Sequence, residues 1–271
     1  MRTFLECDTV VRLMEITPEI ATEWLAHQSQ NRKINKNTVA SYVRSIRNGE
    51  WQVNGETIKI NDAGKLIDGQ HRCAAVVASE KPILAFVAFD VPSNSFTTID
   101  TGRKRRGGDV LSIMGESHAS LLSAALAWVW RYDQGVKKVW AKVVPSHQQI
   151  IDTLSHHPEI RESVRAHYHT KGLMSPSIAV ALHYLFSKKD ASKADMFFAK
   201  LGSGEMIGKY DPFTSGIYWL RQRLQNDKQN RAKMYPPEIF FLGVKAWNGI
   251  RSETLVKVLK ISSNDRLPSI L

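Results

Sequence analysis

The stretch that decides the fold of the first part of this chain reads Leu66-Ile67-Asp68-Gly69-Gln70-His71-Arg72-Cys73-Ala74-Ala75. The pattern predicts a strand that passes through a glycine turn into a helix. Backbone N–H groups in the first turn of a helix attract anions, and Gly69 allows close approach of a ligand. His71 and Arg72 add side-chain donors, so the junction can hold a phosphate group. The alternative is an ordinary strand-to-helix turn that carries an exposed arginine.

The flanking sequence predicts the elements around this turn. Apolar residues at helical spacing precede it, and Gly49 stands where such a helix would end. Alternating residues then predict a hairpin, and a further strand follows the helix of the turn. The predicted elements are a helix through Val39, Tyr42, Val43 and Ile46, a strand at 57–60, a loop at 61–64, a strand at 65–67, a helix after Gly69 and a strand at 83–89.

This order of elements resembles the ParB/sulfiredoxin superfamily over residues 31–112. The matching turn carries Gly-Glu-Arg-Arg in ParB-like proteins and Gly-Gly-Cys-His-Arg in sulfiredoxins. The resemblance implies that Gly69, Gln70, His71 and Arg72 bind the triphosphate of a nucleotide, ATP or CTP. Because Gln70 replaces the sulfiredoxin cysteine, a sulfinic acid reductase is not expected. The string is also similar to that of DNA sulfur-modification regulators and of many phage and mobile-element proteins.

The sequence pattern of the second part of the chain predicts helices. Prolines stand between the stretches with helical periodicity. These stretches are residues 120–132, 146–155, 159–169, 176–187, 192–201, 213–226 and 237–251. We therefore expect an α+β protein, with a small ParB/sulfiredoxin-like mixed α/β domain at 1–112 and an all-helical domain at 113–271 that contacts DNA or a protein partner.

Composition favours an anionic partner. The 271 residues carry a formal net charge of +11, which suits DNA, although solubility alone is an alternative. No apolar run reaches the roughly 18 residues of a membrane span, so no membrane partner is expected. The two cysteines, Cys7 and Cys73, are too few for a disulfide scaffold or a zinc cluster. We expect a cytoplasmic protein of a bacterial host cell, encoded by a phage or mobile element.

The densest group of cations is the run Arg103-Lys104-Arg105-Arg106, bounded by glycines. We expect it to contact DNA phosphates or to close over the nucleotide, whereas a solvated loop is the alternative. Asp100, just before the run, is the candidate ligand for Mg²⁺, since hard oxygen ligands suit that ion. An Asx-type turn at Asp100 is the alternative.

Two carboxylates near the turn are candidate catalysts. Asp68 directly precedes Gly69, and Glu56 lies near the start of the partner strand. Either group could orient a water or accept a proton in phosphoryl transfer. The alternatives are a turn or helix cap for Asp68 and a solvent-facing strand position for Glu56.

Two functions remain open on these residues and the resemblance. The first is a DNA-associated ParB-like enzyme that hydrolyses a nucleoside triphosphate or transfers its phosphoryl group, with Mg²⁺. The second is a non-catalytic, nucleotide-gated DNA-binding regulator or partition-like clamp. A ParB-like nuclease is less favoured, because no convincing carboxylate cluster for a metal-dependent nuclease is present. A homodimer is compatible with either function.

Overall fold

The computed structural model describes residues 8–28, 33–93, 95, 106–135, 143–229, 234–262 and 265–271. It confirms a mixed α+β protein. The chain divides into two compact units, Met1–Lys104 and Arg105–Leu271, called here the first and second unit. The boundary predicted from the sequence lies after residue 112. Within the part of the chain that the structure describes, none of the helices combines the length and apolarity that a membrane crossing requires.

The first unit contains a four-stranded mixed sheet. Its elements are β1 (Val10–Ile16), α1 (Pro18–Ala26), α2 (Lys36–Arg47), β2 (Thr57–Asn61), β3 (Leu66–Asp68), α3 (Gln70–Ser79) and β4 (Ile83–Val91). The strand order is β1-β4-β2-β3. The strand β2 runs parallel to β4 and antiparallel to β3, and β1 runs antiparallel to β4. The short hairpin β2–β3 thus leads directly into α3.

The core of the first unit lies between one face of the sheet and its helices. Alternate residues of β2 and β4 point to this face, because successive side chains of a strand point to opposite sides. Ile58 and Val87 are buried there, together with Ala21 of α1, Ile46 of α2 and Val76 of α3. This packing holds α2 and α3 on the same side of the hairpin.

The strand β1 and the helix α1 are additions to the sequence prediction, which contains no element before residue 31. Val10, Val11 and Leu13 of β1 are each more than two-fifths exposed. An edge strand with apolar residues on both faces lacks the polar and apolar alternation by which strands are recognised. The helix α1 begins after Thr17, whose hydroxyl accepts a hydrogen bond from the N–H of Ile20, and Pro18 occupies its first turn.

The described part of the second unit is built from helices. They are α4 (Gly107–Ile113), α5 (Ala119–Asp133), α6 (His147–His156), a 3₁₀ segment (Pro158–Tyr168), α7 (Pro176–Ser203), α8 (Ser215–Gln229) and α9 (Pro236–Arg251). Aromatic rings of α7 and α9 lie in its core, where Phe186 and Trp247 stack with their ring centroids 4.4 Å apart.

A break divides α7 where the sequence predicts two separate helices. Asp190 has φ −165° and ψ 98°, which are not helical angles. Its carboxylate accepts a hydrogen bond from the N–H of Lys193 at 3.0 Å and another from Arg251 of α9 at 2.8 Å. Asp190 therefore caps the second segment of α7 and ties the break to α9.

Candidate functional site

The candidate site starts at Gly69, between β3 and α3. Its φ is +102°, in the region that favours glycine, and its carbonyl accepts the N–H groups of Arg72 and Cys73. A Cβ at this position would lie 3.0 Å from Cγ1 of Ile58 and 3.3 Å from the Cα of the same residue. Both the backbone conformation and the close approach to β2 therefore require glycine.

Arg72 ties the first turn of α3 to the beginning of β2. Its Nη1 donates to the carbonyl of Glu56 at 3.0 Å, and its Nη2 donates to the carbonyl of Thr57 at 2.7 Å. The same Nη2 lies 3.7 Å from Oδ2 of Asp68. The guanidinium is therefore fixed by two backbone oxygens, and its side chain is only 13% exposed.

Asp68 forms an ion pair with Lys59 across the hairpin. The two residues are register partners on β3 and β2, and Lys59 Nζ donates to Asp68 Oδ2 at 2.7 Å. Burial alone would raise the pKa of Asp68, but the hydrogen bond and charge of Lys59, with the charge of Arg72, hold that pKa below its ordinary value. Asp68 is therefore a carboxylate at neutral pH.

His71 links the start of α3 to the start of α2. Its Nε2 accepts a hydrogen bond of 2.9 Å from the N–H of Asn35. This acceptor role places the ring proton of neutral His71 on Nδ1. The side chain of Asn35 caps α2 by accepting the N–H groups of Asn37 and Thr38. The first turns of two helices therefore meet at one histidine.

Asn35 is not among the site residues that the sequence predicts. A polar residue before an amphipathic helix is a recognisable cap, but the contact with His71 spans 36 positions and has no local signal. Two exposed lysines, Lys33 and Lys36, are close neighbours of Asn35 in the chain.

The other two predicted residues of the turn region occupy different environments. Gln70 is the first residue of α3 and is buried, with 5% exposure. Glu56 precedes β2 and is exposed. The group that joins Glu56 to the site is its backbone carbonyl, which accepts from Arg72.

Most of the predicted basic run and the predicted magnesium ligand lie outside the described residues. These positions are Asp100, Arg103, Lys104 and Arg105. Arg106 is described and belongs to the second unit, where its N–H donates to Asp109 Oδ2 at 2.7 Å at the start of α4. Arg106 is exposed there.

The described residues contain no group of three or more His, Cys, Asp or Glu side chains that could hold a metal ion. Cys73 of α3 is fully buried, and this burial raises the pKa of its thiol to about 12. A protonated, inaccessible thiol is a poor nucleophile, so Cys73 is a core residue.

Comparison with known proteins gave no match to a family model, to a curated protein or to a solved structure.

Proposed function

We propose that the first unit is a ParB/sulfiredoxin-like domain that binds a nucleoside triphosphate, ATP or CTP, with its phosphates at residues 69–72. One observation carries this proposal: the glycine turn, the first turns of α2 and α3 and the cations Lys59 and Arg72 are all joined by direct contacts. Helix N-termini and cations both attract anions, and their effects add at one place.

The order of elements supports the ParB-like assignment. A helix, a hairpin, a glycine turn, a helix and a strand follow one another from α2 to β4. The net charge of +11 supports DNA as the partner of the whole chain. In this proposal Arg103, Lys104, Arg105 and Arg106 contact DNA, and Asp100 contributes to binding Mg²⁺ with the nucleotide.

We propose further that the chain is an enzyme that hydrolyses the triphosphate or transfers its phosphoryl group, with DNA as activator or acceptor. Asp68 is the candidate catalytic carboxylate because it lies beside the glycine turn and is ionised. Glu56 is the weaker candidate, since its carbonyl is the group that contacts the site.

The second candidate function is a binding-only regulator whose nucleotide changes its affinity for DNA. The ion pair between Asp68 and Lys59 favours it, because a carboxylate held by a cation is a weak proton acceptor. Release of phosphate from ATP and CTP, with and without DNA, separates the two functions. Turnover that Asp68→Asn abolishes supports the enzyme, whereas nucleotide binding without turnover supports the regulator.

Binding itself is tested by calorimetry with ATP, CTP, GTP and UTP, each with Mg²⁺. Arg72→Ala is an unsuitable variant, because it also removes two hydrogen bonds to the backbone of β2. The variant Lys33→Gln/Lys36→Gln removes two exposed charges beside Asn35 and should weaken binding several-fold. Lys65→Gln, an exposed change in the hairpin loop, is the control and should leave binding unchanged. If none of the four nucleotides binds the wild-type protein, the proposed function is wrong.

A further inference from the structure

We propose that Lys59 and Arg72 together receive one phosphate group of the ligand, and that Asp68 is an internal counter-ion which this phosphate displaces. The inference rests on the proposed nucleotide-binding function, and it adds Lys59 to the residues that bind phosphate. It also assigns Asp68 a role in the protein without ligand that differs from catalysis.

A single carboxylate oxygen is shared by the two cations. Oδ2 of Asp68 lies 2.7 Å from Nζ of Lys59 and 3.7 Å from Nη2 of Arg72. A phosphate oxygen carries the same kind of charge and accepts the same donors. The carboxylate therefore already occupies the position, between an ammonium and a guanidinium, that a phosphate oxygen would take.

The guanidinium of Arg72 and the backbone of Lys59 are held by contacts that do not involve the side chain of Asp68. Arg72 is fixed by the carbonyls of Glu56 and Thr57. Lys59 belongs to β2, which pairs with β3 on one side and with β4 on the other. Removal of the carboxylate charge therefore leaves a fixed guanidinium beside a lysine whose backbone is fixed and whose ammonium is released from its internal partner.

A ligand can reach this cation pair. The side chains of Lys59 and Asp68 are each 25% exposed, so the ion pair is open to solvent. Displacement of Asp68 exchanges one anion for another of higher charge, which the two cations favour. The displaced carboxylate stays close to the bound phosphates, where its repulsion lowers affinity.

The test is the affinity of Asp68→Asn for inorganic tripolyphosphate, ATP and CTP, measured by calorimetry of the full chain at about 0.15 M salt, where the Debye length is about 8 Å. An asparagine keeps an oxygen that can accept from Lys59 and from the N–H of Gly69, so the hairpin is preserved. We expect the variant to bind each ligand at least about fivefold more tightly, since it removes a competing charge.

Glu80→Gln is the matched control. Glu80 is exposed and directly follows α3. Because α3 is ten residues long, Glu80 lies about 15 Å from the first turn of that helix. The control changes the net charge by the same amount, and its affinity should stay within about twofold of wild type, since exposed charges more than a Debye length apart are screened. An equal gain in both variants would show a general charge effect and would overturn the inference.

The remaining outcomes separate the two proposals. If the wild-type protein binds and Asp68→Asn binds equally well or more weakly, the counter-ion role is wrong, and the proposed function is unaffected. Absence of binding by both proteins overturns the proposed function. Should Asp68→Asn fail to fold, Lys59→Met provides the second measurement, because it should weaken tripolyphosphate binding more than Lys65→Met does. Equal effects of the two lysine variants would overturn the assignment of Lys59.

Discussion

The guanidinium of Arg72 is bound to the backbone carbonyl of Thr57, with 2.7 Å between Nη2 and the oxygen. Arg72, which the sequence predicts to bind a ligand, therefore also links α3 to β2 through hydrogen bonds. In the proposed function, the donors of Arg72 that meet a phosphate are oriented by the strand to which this guanidinium is bound.

We predict that Arg72→Ala destabilises the first unit by about 1 to 3 kcal/mol, since two backbone carbonyls lose a charged donor. Hydrogen exchange of the α3 amides measures this loss separately from the second unit. Arg12→Ala is the control, an exposed arginine of the edge strand β1, and should change stability by no more than about 0.5 kcal/mol. Equal protection of α3 in wild type and Arg72→Ala would show that the two hydrogen bonds contribute nothing.

The glycine turn gives a second prediction. Gly69→Ala places a methyl group 3.0 Å from Ile58 in a backbone conformation of φ +102°. Gly64 also has a positive φ, +70°, but a Cβ added there by Gly64→Ala has no atom within 4 Å. The first change should cost at least about 1 kcal/mol more than the second, because overpacking adds to the backbone cost. Urea unfolding that gives the two variants the same stability would contradict the close approach of Gly69 to β2.

Short-range signals made the turn region predictable. The glycine after a strand, the alternation at 57–60 and the helical spacing before Gly49 each act within a few residues. The ion pair between Lys59 and Asp68 was not predictable in this way. A loop at 61–64 would pair Ile60 with Lys65, whereas a register shift pairs Ile60 with Leu66 and Lys59 with Asp68. An irregularity of this kind depends on packing and leaves no mark in the alternation.

The helices of the second unit were predictable for a different reason. Prolines stand at the starts of several of them, and the break at Asp190 separates two stretches of helical spacing. Contacts between distant positions, such as Asn35 with His71, arise only when packing brings the elements together. Site residues of that kind can be identified from the structure but not from a local sequence pattern.

The lowered pKa of Asp68 predicts how the stability of the first unit depends on pH. The folded value lies below the unfolded value of about 3.9, so the ionised carboxylate stabilises the folded state. This contribution is complete above the unfolded pKa and is lost as the pH falls through the folded pKa. Unfolding in urea between pH 2 and 6 should therefore show wild type losing its advantage over Asp68→Asn on acidification.

The exposed carboxylate Asp90 supplies the control for this titration. Asp90→Asn makes the same chemical change at an exposed position of β4, so the difference between the two variants isolates the loss of the contacts of Asp68. A constant difference between wild type and Asp68→Asn from pH 6 to pH 2 would contradict the stabilising role of the ion pair with Lys59.

The basic run gives the last prediction, which concerns DNA. Replacement of Arg103, Lys104, Arg105 and Arg106 by glutamine should weaken DNA association and lower its salt dependence by about one unit of slope for each phosphate that the protein no longer neutralises. Nucleotide affinity should stay unchanged, because the proposed phosphate site consists of other residues. Fluorescence anisotropy with labelled duplex DNA at 50 to 200 mM salt measures the slope.

The control replaces four exposed lysines of the second unit, Lys171, Lys189, Lys209 and Lys257, with the same change in charge. If both variants reduce the slope of DNA affinity against salt concentration by the same amount, the reduction comes from the lower net charge, and the basic run is not a specific DNA contact.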